Sequence, residues 1–517
     1  MNNCECGKKV FENESQCILH CDKEDYQSDR IKIGFLETFY SELINYITDK
    51  ILEFPHDNPP TSAQIKMHLD GTINKLSMNS YERSDIKEFI RSWTIDFTEI
   101  KFPGHDNRDT YDYKKVLEKL GAASFNFCEF YTDNLDIKGT KLFFDECTFH
   151  HNWYLYNHKI LESSTNVLYQ ICTFEDTVST VSGDYDKPEI EGTIFSNCIF
   201  NKELILEHIT IKSWLFLNSN EQKLILKKLR IYDCWFEEYF IANNLEIESF
   251  HCENCKFKQK FEFKENLVKE FKIDDTNFET IADFYKTSFV DFKIYKSIFY
   301  DYVGFEDCLF GTSTSKIITK SEFIYSTFMS FINFRNARFN NGLDLTSINI
   351  KGIPNFYNVY VSSTNTNRET FRRIKDSFDK VGNFIEANNF YALEMQKFKE
   401  ELKNSNQKAK KYLLFLYEFT SNFGQSYVRP LLILLLSAIL YWLIVLGYEN
   451  NLLYSISNYI NAPINVLAKL LNNISSSILP ISKFLREGME FISLVFYIVF
   501  SICIWLIILA IKRSTRR

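Results

Sequence analysis

The chain has 517 residues, of which 45% are hydrophobic and 24% are charged. These values exclude a largely disordered chain, and the length predicts roughly two to four folded units. The net charge of −8 argues against a general nucleic-acid binder, which is normally basic. Phe is frequent, with 49 residues against 16 Gly and 9 Pro, so one large side chain is predicted to recur at equivalent places.

The start of the chain, 1–26, combines metal-ligand side chains at short spacing. It contains Cys4-x-Cys6 and, further along, Cys17-x-x-His20-Cys21. Thiolates and an imidazole so close together favour a closed, tetrahedral zinc site of the structural kind. We predict Cys4, Cys6, Cys17 and His20 as ligands of one zinc ion in a knuckle over 1–26, with Cys21 as the alternative fourth ligand. The other interpretation is incidental cysteines, since C-x-C is tighter than the commoner C-x-x-C.

Residues 27–119 are predicted to form a helical cap. An amphipathic pattern over Ile31–Phe54 repeats at three- and four-residue steps, and a second helix is predicted over Ser84–Trp93. Met1–Arg30 is polar, which predicts no secretory signal peptide there. The expected role of this region is to cover the open end of the repeat that follows.

A regular repeat occupies the middle of the chain. The fragments DCWF, NCKF, DTNF and KSIF end at the equally spaced residues Phe236, Phe257, Phe278 and Phe299. Within a period, large apolar residues recur at steps of five or six, which fits neither a helix nor a simple strand. This spacing predicts a coil with four short faces, each with one large side chain inside.

These fragments resemble the pentapeptide-repeat family, in which a large central residue follows a small residue two positions earlier. Further matches are Cys128–Phe130, Cys147–Phe149, Cys172–Phe174, Cys198–Phe200, Ser213–Leu215, Ser326–Phe328 and Ala337–Phe339. The resemblance implies an all-β, right-handed quadrilateral β-helix over 120–360, flanked by α-helical regions. Here Phe largely replaces the family's Leu. Register breaks are predicted around Asn152–Gln170, Thr177–Lys187 and Gly311–Lys320.

The remaining sequence predicts a helical connector and a membrane hairpin. The connector, 361–428, is similar to the helical hairpin that joins rods to membrane spans in bacterial membrane-anchored members of the family. The hairpin, 429–517, has two spans without a charged residue, at 430–448 and 491–511, joined by an external loop at 449–490. Each span is long enough to cross a bilayer. The alternative is a pair of buried core helices.

Basic residues flank the two spans on one side. Lys410, Lys411 and Arg429 precede the first span, and Lys512, Arg513, Arg516 and Arg517 follow the second. The positive-inside rule then predicts that both termini are cytoplasmic. The resemblance adds the bacterial inner membrane as the expected location.

The sequence contains no recognised catalytic motif, so the chain is predicted not to be an enzyme. His150, His151 and His158 are interpreted as loop composition. The main hypothesis is a non-enzymatic, membrane-anchored scaffold or sensor whose cytoplasmic β-helix binds an unknown protein partner. The alternative is a phage-defence-like effector whose oligomerised hairpins form a non-selective pore. A DNA-mimic inhibitor is a minor alternative; no nucleic acid is expected as a partner, and a homo-oligomer is possible.

Overall fold

The structure is a computed structural model that describes most of the 517 residues. The residues not described are 1–3, 5, 13, 27–33, 56–58, 74–79, 106–109, 138, 157–158, 162–165, 181–186, 218–223, 312–318, 404, 450–461, 477–484 and 516–517. The chain divides into two compact units, Met1–Thr364 and Asn365–Arg517.

The described helices lie at both ends of the chain. Those of the first unit are α1 Phe35–Leu52, α2 Ser62–Asp70, α3 Ser80–Arg91 and α4 Lys114–Leu117. Those of the second unit are α5 Arg368–Lys380, α6 Phe384–Leu402, α7 Lys408–Ser421, α8 Val428–Glu449, α9 Ala462–Ser476 and α10 Glu490–Thr515.

The strands are short and follow one another between Thr94 and Val361. The first half comprises β1 Thr94–Thr98, β2 Lys101–Phe102, β3 Ala122–Asn126, β4 Glu129–Phe130, β5 Lys141–Asp145, β6 Thr148–Phe149, β7 Trp153–Leu155, β8 Lys159–Ile160, β9 Val167–Gln170, β10 Thr173–Phe174, β11 Val178–Thr180, β12 Glu189–Ile190, β13 Thr193–Ser196, β14 Ile199–Glu207, β15 Thr210–Ile211, β16 Phe216–Leu217, β17 Ile225–Tyr232 and β18 Trp235–Phe236.

The second half continues in the same way. It comprises β19 Phe240–Ile241, β20 Glu246–Glu253, β21 Lys256–Phe257, β22 Phe261–Glu262, β23 Leu267–Asp274, β24 Asn277–Phe278, β25 Ala282–Asp283, β26 Ser288–Tyr295, β27 Ile298–Phe299, β28 Val303–Gly304, β29 Leu309–Phe310, β30 Ser321–Ile324, β31 Thr327–Phe328, β32 Ile332–Asn333, β33 Arg338–Phe339, β34 Leu343–Asp344, β35 Asn349–Ile350 and β36 Tyr360–Val361.

These strands form a parallel β-solenoid of about 10 turns, which confirms the predicted repeat architecture. The strands described pair into four sheets, and β18, β21, β24 and β27 are successive neighbours in one of them. The four-sided cross-section and its right-handed sense stay predictions.

The equal spacing of the repeated Phe residues sets the register of the solenoid. Phe236 pairs with Phe257, Phe257 with Phe278, and Phe278 with Phe299. The ring centroids of successive partners lie 4.7, 5.0 and 4.5 Å apart, and the rings are stacked. Parallel in-register pairing therefore places one Phe above the next, as the sequence predicted.

Each regular turn contains more buried side chains than the sequence pattern indicated. One turn buries the pairs Cys255/Phe257, Phe261/Phe263, Asn266/Val268 and Phe271/Ile273, the members of each pair being two residues apart. The family pattern has a small residue in the first place, but in two of these four pairs the first member is Phe. The prediction of one large side chain per face is therefore wrong for these two faces, and the additional rings contribute to the core.

The small inward residues stabilise sharp turns of the backbone. Asn254 has a positive φ of 54°, and the next residue, Cys255, directs its thiol to the carbonyl oxygen of Glu253 at 3.1 Å. The same arrangement recurs one turn later at Asp275 and Thr276. A hydroxyl or thiol gives the carbonyl of the turn a donor besides its backbone partner, which fits the sharing of this column by Cys, Thr and Ser.

The solenoid begins earlier than the predicted residue 120. Strand β1 pairs with β3, and β2 pairs with β4, so the first turn starts at Thr94. Phe102 and its partner Phe130 are further apart in sequence than one regular period, because the intervening chain contains α4. That insertion hides the period in the sequence. A second insertion, between Phe299 and its partner Phe328, falls on the predicted break at Gly311–Lys320.

The predicted break at Asn152–Gln170 contains β7, β8 and β9, so this stretch is partly paired. The break at Thr177–Lys187 contains β11, and its residues 181–186 lie outside the described part.

Helix α1 packs across the first turn. The Phe39 ring lies 6.0 Å from that of Phe102, and Tyr46 stacks on Phe97 at 5.8 Å. The Tyr46 hydroxyl also donates to the carbonyl of Asp96 at 2.8 Å. Aromatic side chains of α1 thus cover the rings that the first turn leaves without a preceding turn, as expected of a cap.

Replacing one stacked ring tests the importance of the Phe column. Phe278 is 1% exposed, so Phe278→Ala is expected to lower the free energy of unfolding by about 3–5 kcal/mol. Phe278→Asp is expected to prevent folding of the solenoid, because it buries an unpaired charge. Chemical unfolding of the purified chain in detergent, followed by circular dichroism, measures both effects.

The control is Leu267→Asp, since Leu267 lies on the neighbouring strand β23 and is 45% exposed. This variant should keep the wild-type midpoint. A Phe278→Asp variant with a wild-type midpoint would contradict the proposed packing.

Candidate metal centre

The four predicted ligands come together in the structure. Cys4, Cys6, Cys17 and His20 each direct one ligand atom into a group whose members all lie within 4.8 Å of one another. This is within metal-binding distance.

Two local turns position the ligands. The amide of Gly7 donates to the carbonyl of Cys4 at 2.9 Å, and Gly7 has a φ of 80°, which favours glycine. The amides of His20 and Cys21 both donate to the carbonyl of Cys17, at 3.0 and 2.9 Å. The first turn presents Cys4 and Cys6, and the second presents Cys17 and His20.

The distances between ligand atoms are close to those around a tetrahedral ion. His20 Nδ1 lies 3.2 Å from Cys17 Sγ and 3.6 Å from Cys4 Sγ, and Cys6 Sγ lies 3.5 Å from Cys17 Sγ. Metal–sulfur bonds of about 2.3 Å and metal–nitrogen bonds of about 2.0 Å place tetrahedral ligands roughly 3.5–3.8 Å apart. The arrangement therefore fits a four-coordinate metal ion.

The protonation of the thiols differs across the cluster. Burial raises the pKa of Cys17 to about 12, with a further contribution from the neighbouring Cys6. Burial also raises the pKa of Cys4, but hydrogen bonds from the Cys17 and Cys6 backbone and from His20 outweigh it and lower the value to about 6. Of these two thiols, Cys4 therefore has the lower pKa.

Cys21 has a different role from the four clustered residues. Its sulfur accepts a hydrogen bond from Lys23 Nζ at 3.1 Å, and its carbonyl accepts another at 2.6 Å. Lys23 is fully buried, and burial lowers the pKa of its ammonium group, partly offset by Cys21. Cys21 satisfies this buried cation, which the sequence spacing did not indicate.

The knuckle is joined to the first turn of the solenoid. The amide of Lys101 in β2 donates to the carbonyl of Leu19 at 2.9 Å. Leu19 lies between the ligands Cys17 and His20, so the knuckle is hydrogen-bonded directly to the first turn. Leu19 is completely buried, and Lys8 forms a 2.8 Å ion pair with Glu42 of α1. A metal ion in the cluster would therefore hold the chain against both the solenoid and its cap.

A polar network beside the knuckle was missed by the sequence analysis. The Tyr131 hydroxyl lies 3.0 Å from a carboxylate oxygen of Asp22 and 3.1 Å from one of Glu129. Glu129 also contacts His150 at 2.8 Å and Lys101 at 2.9 Å.

His150 follows β6 directly and makes this contact, and its interpretation as loop composition and not a site stays a prediction; His158 lies outside the described residues. The repeat register is the sequence signal that could have revealed the neighbours of His150. It pairs Phe130 with Phe149 and so places the following residues, Tyr131 and His150, side by side.

The comparisons with known proteins name no family for this chain. No family profile, no curated protein and no solved structure matches it.

Substitution of single ligands tests the metal centre. The purified chain is expected to contain one equivalent of metal ion, and Cys17→Ser is expected to lose most of it, because three ligands bind a metal far more weakly than four. Elemental analysis of the full chain measures the metal content.

The matched control is Cys21→Ser, which should retain the metal because Cys21 contacts Lys23 instead of the cluster. The absence of bound metal from the wild-type chain, or equal loss in both variants, would contradict this assignment.

The Glu129 network predicts a pH-dependent contribution to stability. The hydrogen bond from His150 lowers the pKa of Glu129, burial partly opposes it, and Lys101 adds to the lowering, with a net value of about 2. Because the folded pKa is below the usual 4.5, the stabilisation is complete above pH 4.5 and is lost as the pH falls toward 2. Glu129→Gln should therefore lower the free energy of unfolding by about 1–2 kcal/mol at pH 7, less than the full shift because the site is partly solvated.

Chemical unfolding from pH 7 down to pH 3 measures the difference between wild type and Glu129→Gln, which should narrow below pH 4.5. Glu253→Gln, at an exposed position of β20, serves as the control and should change little. A Glu129→Gln effect that is constant with pH would show that the charge of this carboxylate is not what stabilises the fold.

Proposed function

We propose that this protein is a non-enzymatic, membrane-anchored scaffold or sensor whose β-solenoid binds a protein partner in the cytoplasm. The observation that carries the proposal is a column of exposed apolar side chains on the solenoid, in a chain that also has two apolar helices of membrane-spanning length.

The exposed column follows one edge of the solenoid and is interrupted by one charged residue. Exposed Tyr239, Ile281 and Phe331 and half-buried Tyr302 each precede a strand of the same sheet, β19, β25, β32 and β28, whereas Lys260 holds the equivalent position before β22. Trp214 extends the column, with its ring 6.0 Å from that of Tyr239, and Tyr302 stacks on Phe331 at 6.0 Å. Aromatic residues of this kind are enriched at the centres of protein–protein interfaces.

The charged surface of the solenoid supports a protein partner over a DNA-mimic role. Acidic residues alternate with lysines of the next turn in ion pairs, such as Glu237–Lys258 at 2.7 Å and Glu248–Lys269 at 3.2 Å. A mimic of duplex DNA needs an uninterrupted acidic face. The interleaved lysines neutralise that face.

The membrane anchor is formed by α8 and α10. Both are long and apolar enough to cross a membrane. In their most apolar stretches, 0% of the residues of α8 and 22% of those of α10 are buried. That exposure is unlike the buried core helices that were the alternative interpretation. Basic residues lie at the start of α8 and at the end of α10, so we place both termini in the cytoplasm. The resemblance to the pentapeptide-repeat family implies the bacterial inner membrane as the location.

The ion that best suits the Cys4, Cys6, Cys17 and His20 set is zinc. Three thiolates and one imidazole in a closed tetrahedron are typical of structural zinc sites, which stabilise folds and leave no open position for a substrate. We assign this site the role of fixing the start of the chain to the first turn of the solenoid.

The family assignment belongs to the same proposal. Four inward pairs in each regular turn support a quadrilateral pentapeptide-repeat solenoid, and its right-handed sense is what the resemblance implies. The pairs with Phe in the first place depart from the usual pattern.

Photocrosslinking at the exposed column tests the scaffold function. With p-benzoyl-phenylalanine at Phe331 or Tyr302 in the full chain, expressed in its own host, we expect both positions to yield an adduct with the same protein. Mass spectrometry of the adducts identifies it. The control is Leu267, which is exposed but has Glu246 and Ser288 as its strand neighbours.

Adducts of the same kind at Leu267, or none at either column position, would argue against a partner at this column. The pore-forming alternative is favoured by the exposed apolar side chains of α8, such as Leu436 and Trp442, which are available to further copies of the hairpin. Membrane potential in cells separates the two functions, since depolarisation that requires residues from Arg429 onward would support a pore instead.

A further inference from the structure

Helix α7 has apolar side chains on two of its faces. One face is buried in the second unit, where Leu414 and Tyr417 pack with Ala392, Leu402 and Phe423. The other face is exposed and contains Tyr412, Leu413, Phe415, Leu416 and Phe419. A surface helix of a globular protein normally has polar residues on its second face.

The exposed residues form one continuous surface. They recur at steps of three and four, so Tyr412, Leu416 and Phe419 lie along the same side of the helix. Phe419 is 61% exposed, and its ring stacks on that of Phe415 at 6.3 Å. A contiguous exposed surface of several large apolar side chains marks an interaction site.

Basic residues border this surface. Lys408 and Lys410 are exposed in the first turn of α7, and Lys411 donates to the carbonyl of Lys403 at 2.7 Å. The first turn contains no acidic residue. Cations at a helix N-terminus oppose the helix dipole, so this arrangement is unfavourable unless an anion is bound nearby.

The far end of α7 lies beside the end of one membrane-length helix and close in sequence to the start of the other. Arg513, near the end of α10, donates to the Tyr417 hydroxyl at 3.1 Å and to the carbonyl of Phe423 at 2.8 Å. Helix α8 begins at Val428, shortly after α7 ends at Ser421. The C-terminal end of α7, and with it Phe419 of the exposed face, is therefore placed close to where the apolar helices end.

We propose that α7 is an interfacial helix that inserts its exposed apolar face into the cytoplasmic leaflet and binds anionic lipid headgroups through Lys408, Lys410 and Lys411. The inference rests on the proposed membrane anchor. Lipid is favoured over a second protein chain because the surface combines apolar side chains with a basic border and adjoins the proposed spans.

Photocrosslinking in defined vesicles tests the inserted face. The full chain, with p-benzoyl-phenylalanine at Phe419 or Leu413, is reconstituted into vesicles of phosphatidylcholine and phosphatidylglycerol. We expect lipid adducts at both positions by mass spectrometry. The control is Leu267, which is 45% exposed on strand β23 of the solenoid. It should yield no lipid adduct.

Hydrogen–deuterium exchange tests the basic border. In vesicles that contain phosphatidylglycerol, the backbone of 408–421 should exchange at least about threefold more slowly than in pure phosphatidylcholine vesicles. Substitution of all three lysines, Lys408→Gln, Lys410→Gln and Lys411→Gln, should abolish this difference while leaving exchange in α5 unchanged. An equal difference in the substituted chain would overturn the role of these lysines.

Alkaline carbonate extraction separates this inference from the anchor on which it rests. A chain that is extracted lacks the proposed spans, and the proposed function fails. A chain that resists extraction but gives no lipid adduct at Phe419 and Leu413 overturns the interfacial helix alone. An adduct to a second copy of the chain at these positions would overturn it in favour of a protein interface.

Discussion

Parallel pairing between equivalent residues of successive turns is the constraint on which the first unit depends. Successive turns are joined by backbone hydrogen bonds, such as those that the amides of Lys256 and Asn277 donate to the carbonyls of Cys234 and Cys255 in the turn before. Because the pairing is in register, identical side chains lie one above the other at the spacing of adjacent strands. Flat aromatic rings can stack at about this distance, so Phe suits these positions. A single turn buries nothing alone, so stability comes from the number of turns and from covering their ends.

The same constraint decides which polar residues the interior accepts. Asn266 is 2% exposed, yet its side chain donates to the carbonyl of Ala242 and accepts from the amide of Leu245. Thr287, one turn later, donates to the carbonyl of Phe263. A polar side chain in such a column satisfies the backbone at a bend, and an apolar residue there would leave those groups unpaired.

The sequence was sufficient for features that depend on local spacing. The regular period located the stacked Phe columns, and the ligand cluster was found because its members lie close together in the chain. Spacing could not separate His20 from Cys21 as the fourth ligand. Burial of Lys23 makes that distinction, and it depends on how the knuckle packs against the solenoid. The first turn, from Thr94, was missed because α4 interrupts the period, and the Glu129 network was missed because it joins parts of the chain that are distant in sequence.

Helix α7 shows what helical periodicity alone cannot resolve. The predicted connector, 361–428, has the apolar repeats of a helical hairpin, and the structure forms α5 and α6 there as expected. Helix α7, which follows, is apolar on two faces. From the sequence alone this is visible only as a high content of Leu, Tyr and Phe. Once one face is assigned to the contacts of Leu414 and Tyr417, the other stays exposed, with Lys399 lying over the ring of Phe415 at its margin. The lysines at its start and the contacts of Arg513 at its end then favour the membrane surface as the environment that completes the fold of this unit.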